Sequence, residues 1–184
     1  MAICAARFWQ RPRRSWPTAG SRRFTALCRQ AGRGQPCRPA HHFGDVGGLL
    51  TALAAEGFRR FLACQHRREA GAARDPVSQL VAAGLGYVDF ALDRPALFRL
   101  IFASDRPDKH DPELMTAGRA CYSHLRDQIK ALDGDDADTA AAWAMAHGLA
   151  DLMMSGRLTS IHDLPPDARD AALEGLIRRV MPAG

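Results

Sequence analysis

Val77, Leu80, Val81, Leu85, Val88 and Leu92 fall at i, i+3, i+4, i+8, i+11 and i+15. That spacing gathers all six on one side of an α-helix and scatters them over both faces of a strand. The same period recurs down the chain. Leu49, Leu50, Leu53, Phe58, Phe61 and Leu62 follow Gly44-Asp45, where Asp45 suits an N-cap or first turn. Leu97, Phe98, Ile101 and Phe102 follow Asp93-Arg94-Pro95, and Pro95 suits a first helical position because its missing N–H would have no partner there. Leu114, Met115, Gly118, Cys121, Tyr122, Leu125, Ile129 and Leu132 follow the polar stretch 104–111. Asp133-Gly134-Asp135-Asp136 reads as a turn with capping acids. Thr139 to Met154 is apolar nearly all round, which predicts a helix buried on several sides. Leu173, Leu176, Ile177, Val180 and Met181 close the series after Pro165-Pro166-Asp167. The pattern predicts about six helices after residue 44, no sheet, and antiparallel neighbours joined by short connections.

Composition agrees. Hydrophobic residues make up 47% of the 184, enough for a sizeable core, and alanine and leucine dominate them. No apolar run is long enough to cross a bilayer, so no membrane partner is expected. Cys4, Cys28, Cys37, Cys64 and Cys121 form no CxxC pair and leave one over, which argues against a disulfide framework or zinc cluster and fits a reducing compartment, the cytoplasm.

The net charge of +5 hides two unlike regions. Residues 1–40 hold nine arginines and no acid, and the remainder carries 16 basic against 20 acidic residues. Over residues 1–38, rich in Arg, Pro and Gly, no helical or alternating period persists, and an irregular segment is expected. Three readings fit it. A basic arm would bind phosphate by counterion release. An arginine-rich, acid-poor stretch also suits organelle targeting. The third reading is translation partly out of register. Taken from the third base of each codon, Phe8-Trp9-Gln10 and Ser15-Trp16-Pro17 both permit Leu-Ala, and Thr18-Ala19-Gly20 permits Asp-Gly-Gly, a helix with a glycine stop. A one-base shift over residues 33–37 permits Val-x-Ser-x-Ala.

Catalytic signatures are missing. The sequence has no GxSxG elbow, phosphate loop or HExxH. Of seven dispersed histidines only His41 and His42 adjoin, which is not metal-ligand spacing on a helix. No enzyme activity, metal or cofactor is expected.

Pro39-Ala40-His41-His42-Phe43-Gly44-Asp45, followed by Gly48-Leu49-Leu50, resembles the end of the DNA-binding segment in tetracycline-repressor (TetR) family regulators. Trp143-Ala-Met-Ala-His147-Gly148-Leu149 resembles the signature of one class of TetR C-terminal domain, the WHG domain, as do Tyr87-Val88-Asp89-Phe90-Ala91 and Arg94-Pro95-Ala96-Leu97-Phe98-Arg99-Leu100. The resemblance covers roughly residues 39–182. It implies a helix-turn-helix head, of which only a remnant is recognisable, and a helical ligand domain. It also implies a homodimer made mainly by the last two long helices, with operator DNA released when an effector enters. Where the family usually carries tyrosine two residues before the His-Phe pair, this chain has Ala40.

The expected organisation is a basic segment over 1–38, the end of the DNA-binding region with a linking helix over 39–66, and a ligand-binding and dimerisation domain over 67–184. His41, His42 and Phe43 are the candidate DNA contacts, though His42 equally suits a helix C-terminus and Phe43 a core plug. Phe98, Phe102, Met115, Tyr122, Trp143 and His147 are the candidate pocket for a small apolar effector. Trp143 and His147, four apart, share a helix face; as plain core they would sit beside Gly148, a residue that permits close helix approach. Leu149, Met153, Leu173, Leu176, Ile177 and Val180 are the candidate dimer seam. The function expected is a ligand-responsive regulator, most simply a repressor. The alternative is a dimeric small-molecule-binding protein that has lost specific DNA binding.

Overall fold

The structure is a computed structural model that describes residues 45–181; His41, His42 and Phe43 lie outside the described residues. Within that range the chain is helical with no strand. Helices α1 (Val46–Ala70), α2 (Pro76–Asp93), α3 (Pro95–Phe102), α4 (Pro112–Lys130) and α5 (Asp136–Met154) are followed by a single turn, α6 (Thr159–His162), and by α7 (Pro166–Ile177), which ends in the 3₁₀ turn Arg178–Val180. The six helices other than α6 match the apolar periods, and α6 is an addition. It follows the stop that Gly156 makes at φ +68°, a left-handed conformation that costs glycine little.

Acids start most of these helices. Asp45 accepts from Gly48 N at 2.8 Å. Asp75 accepts from Ser78 N, with Pro76 next in line, and Asp111 accepts from Leu114 N, with Pro112 next in line. Asp135 and Asp138 form a reciprocal capping box at α5. At these four helix starts some of the unpaired backbone N–H groups are met locally, whereas α3, α6 and α7 have no side-chain cap.

The helix surrounded on all sides is α2, not α5. Along α2, Leu80, Val81, Ala82, Ala83, Gly84, Gly86, Tyr87, Val88, Phe90 and Ala91 are all buried. Two glycines make that possible. A Cβ on Gly86 would sit 2.7 Å from Gln65 Cα in α1, and one on Gly84 would sit 2.8 Å from Ile177 Cδ1 in α7. By contrast, α5 buries Ala142, Ala146, Leu149, Ala150 and Met153 on one side and leaves Ala141, Ala144 and Leu152 exposed on the other. Its all-round apolarity therefore describes a packed face and an open one. Gly148 belongs to the open side, with nothing within 4 Å of its Cβ position, so it mediates no close helix approach among the described residues.

Three apolar clusters meet around α2. The largest joins α1, α3, α4 and α5 through Phe58, Phe61, Tyr87, Phe90, Phe98, Ile101, Leu114 and Ala150. A second joins α2, α5 and α7, and a third joins α2, α4 and α5 around Ile129. At the rim, Arg68 of α1 holds Asp89 of α2 in a two-pronged pair (2.6 and 2.9 Å) and reaches Asp170 of α7 at 2.6 Å.

Gly86→Ala is expected to lower the free energy of urea unfolding by about 1–3 kcal/mol, the usual cost of forcing an atom into a packed contact. Gly148→Ala is expected to hold stability or raise it by up to about 1 kcal/mol through helix propensity. Equal losses at the two positions would contradict this packing.

Candidate functional site

Eight rings from α1, α2, α3, α4 and α5 converge on the side of the bundle where α2 faces α5. Tyr87 is their centre. Its ring meets Phe61 edge-on at 4.8 Å, Phe98 edge-on at 5.8 Å, and stacks with Phe102 at 5.8 Å. Phe102 also meets Phe58 and Phe61 edge-on, each at 5.7 Å. His147 stacks on Phe98 at 5.3 Å and meets Phe102 edge-on at 5.4 Å. Edge-to-face and offset contacts at these separations are the arrangements that aromatic quadrupoles favour. Trp143 and Tyr122, 6.2 Å apart, form one edge of the cluster.

A short polar chain runs through the rings. Tyr87 Oη and His147 Nδ1 are 2.7 Å apart, and the Trp143 indole N–H donates to Tyr87 Oη at 3.4 Å. Indole only donates, so the phenol oxygen accepts from Trp143; in the tautomer with Nδ1 unprotonated, the phenol hydrogen goes to His147 Nδ1. Burial pushes the Tyr87 phenol well above the usual tyrosine range, which keeps it a hydroxyl. Burial also pushes His147 below the usual histidine range, with Asp151 opposing weakly, so the ring is held neutral and able to accept. A protonated His147 would have to donate at Nδ1, and the phenol hydrogen would be left facing hydrocarbon.

Five of the six residues read as a pocket gather here: Phe98 is buried, and Phe102, Tyr122, Trp143 and His147 are half-buried. Met115, one residue after the core residue Leu114 on α4, is half-buried and outside the ring cluster. The periodic pattern registered Phe58 and Phe61 as core and left Tyr87 unassigned. A phenol within the apolar stretch Leu80–Val88 was the available signal, because a buried hydroxyl needs a partner. Of the residues read as a dimer seam, Leu149, Met153, Leu173 and Ile177 are buried inside the single chain, packed with Val81 and Val88. Only Leu176 and Val180 of that set, both half-buried, keep surface to offer.

Two other features border this region. Cys121 is buried under α1, donating to Phe58 O at 3.4 Å, and burial pushes its thiol up to about 12, which makes it unreactive. A groove of about 300 Å³ is lined by Arg60, Cys64, Arg67, Phe90, Asp93 and Arg94, a charged wall unlike the ring cluster.

The tetracyclin repressor-like C-terminal domain family matches residues 80–180, which include Tyr87, Phe98, Trp143 and His147. The chain belongs to the TetR family, a family of ligand-binding regulators. Among solved structures, this TetR-family chain is similar to a protein of unknown function from Rhodococcus sp. RHA1, at 27% identity and a TM-score of 0.65 over 86% of this chain and 83% of that one. No curated protein matches the sequence.

Because burial holds His147 neutral, the unfolded chain takes up the proton first as pH falls. Its contribution to stability is complete above the ordinary histidine range and fades as pH drops through and below that range. Urea midpoints are expected to fall between about pH 7.5 and about pH 5, and His147→Asn is expected to flatten that fall. An unchanged slope in His147→Asn would show that the Tyr87 pair does not hold the ring neutral.

Proposed function

We propose that this TetR-family chain is a ligand-responsive transcriptional regulator that takes a small apolar effector into the ring cluster around Tyr87 and His147. One observation carries the reading: apolar rings close on a single polar chain, while Phe102, Tyr122 and Trp143 stay half-buried at its edge. Few polar groups among many apolar ones is the usual composition of a small-molecule site. Without effector the rings fill the space themselves. An effector then acts through its different affinity for this closed packing and for one in which Phe102 and Trp143 have swung aside.

On this reading the chain works as a homodimer in the cytoplasm. No helix of the described residues is long and apolar enough to cross a membrane. The open side of α5 offers Ala141, Ala144, Gly148 and Leu152, the last 40% exposed, and α7 adds Ala171, Gly175 and Leu176. Small residues on two exposed helices allow a second copy to approach closely. Residues 39–66 would carry the end of the DNA-contacting region, with His41, His42 and Phe43 at the operator, and 67–184 the effector and dimer functions. The absence of a helical period before residue 39 favours the second reading, a dimeric binding protein without specific DNA recognition.

Small aromatic and aliphatic compounds are expected to raise the melting temperature of the full chain. A ligand at 100 times its Kd adds about 2.7 kcal/mol, and Phe98→Ala is expected to change which compounds do so. No stabilisation by any apolar compound would sink the effector reading.

Leu152→Glu and Ala144→Glu are expected to convert a dimer to a folded monomer in analytical ultracentrifugation. Salt-sensitive binding of the dimer to a short palindromic DNA supports the regulator. Effector binding with no DNA binding favours the second reading.

A further inference from the structure

Where α1 meets α4, away from the rings, a second constellation has no part in the proposed effector site. Glu69 is 8% exposed, an unusual place for a carboxylate unless it is paired. His124 Nε2 lies 2.6 Å from Glu69 Oε1, and Gln128 Nε2 donates to the same oxygen at 2.9 Å. Both contacts go to Oε1, and no described residue hydrogen-bonds Oε2. One turn earlier on α1, the exposed His66 sets its ring edge-on to His124, with centroids 4.7 Å apart. Gln128 Oε1 is buried and has no hydrogen-bond partner among the described residues.

We propose that His66, Glu69 and His124 bind a divalent transition-metal ion, with zinc the best match. Their candidate ligand atoms all lie within 4.8 Å of one another. Tetrahedral zinc, with ligands about 2.0–2.2 Å away and so roughly 3.3–3.6 Å from one another, needs the widest of these separations to close and the 2.6 Å His124–Glu69 contact to open slightly. The closure falls to His66, which is exposed and makes no hydrogen bond among the described residues that would hold its ring. Two imidazoles and one carboxylate form a donor set suited to zinc and its neighbours rather than to the all-oxygen shells of magnesium or calcium. The hydrogen now between His124 Nε2 and Glu69 must leave that nitrogen, either by moving to Nδ1 or to solvent, before Nε2 can ligate. Gln128 supplies the outer support, since its amide already orients the carboxylate. The unpartnered Oε1 of Gln128 is an acceptor for a metal-bound water. The ion ties together side chains 55 positions apart in sequence and pins the last turns of α1 to α4.

The histidine count gave no hint of the site. His66-x-x-Glu69 and His124-x-x-x-Gln128 are each unremarkable, and only the helix crossing joins them.

The test is thermal melting and calorimetric titration of chelator-treated full chain with zinc chloride, with magnesium chloride as control. One zinc per chain, a raised melting temperature and no magnesium response are expected. Cobalt(II) is expected to give the intense visible bands of a tetrahedral site. His66→Ala, an exposed change that leaves the fold intact, is expected to weaken zinc binding by about tenfold or more. Glu69→Gln, which keeps the shape, is expected to weaken it comparably. The exposed-histidine control His162→Ala and the double variant His41→Ala/His42→Ala are expected to bind as the parent does. Zinc binding unchanged in both His66→Ala and Glu69→Gln, or no zinc response in the parent chain, overturns the proposal. Neither readout uses an apolar effector or DNA, so the outcome is independent of the regulatory function proposed above.

Discussion

Arg68 is the constraint on which the arrangement of the bundle turns. Its guanidinium reaches Asp89 and Asp170 together, and so fixes α1 against both α2 and α7 at one point. The planar fork gives two parallel bonds to Asp89, a geometry that sets angle as well as distance. Its charge is secured by the two carboxylates, which push its pKa above the usual arginine range. The side chains are roughly a quarter to a third exposed, so solvent screens the attraction, and the contribution is more to orientation than to raw stability. Orientation matters here because Gly86 leaves no slack. With α1 and α2 in backbone contact at Gln65, a small rotation of α1 would drive atoms into one another.

That close approach explains where the rings lie. Once α1 is pressed onto α2 at Gly86, the next residue of α2, Tyr87, meets Phe61, one turn before Gln65 on α1. The short helix α3 sets Phe98 and Phe102 against the Tyr87 ring. Gly57 helps seat it, since a Cβ there would meet Ile101 Cγ2 at 2.8 Å. The ring cluster is thus a consequence of glycine-mediated packing and needs no separate device to assemble it.

The number of long helices, their starts and the six-membered stripe of α2 were legible because each depends on neighbours three or four residues away. Caps at Asp75, Asp111 and Asp135 are equally local. What the sequence hid was which face of an apolar helix finds a partner. Helices α2 and α5 look alike as apolar strings rich in Ala and Leu, yet α2 is enclosed and α5 is half open, and the difference lies in partners contributed by α1 and α7. The same limit applied to Leu149, Met153, Leu173 and Ile177, whose spacing marks an apolar face without saying whether the chain itself or a second copy covers it. Trp143 and His147 were legible as sharing a face, and the hydrogen bond that makes them a unit comes from Tyr87, 60 residues from His147.

Helix α5 carries the last step. Its inward side presents His147 and Trp143 to the rings, and its outward side presents Ala144, Gly148 and Leu152. Residues 147 and 148 are adjacent, so the polar handle of the proposed effector site and the small-residue face of the proposed dimer are two sides of one rigid turn. Side chains in a close-packed interior move as discrete packings rather than by smooth deformation. On the proposed function, an effector that displaces His147 from Phe98 would shift α5 as a body, and Gly148 with it. Because the open side of α5 carries mostly small side chains, with Leu152 at its end, the displacement would pass to whatever the helix packs against. Coupling between effector and partner chain then needs no relay of intervening residues. It needs only that the two occupy neighbouring sides of the same helix, about 100° apart at residues 147 and 148.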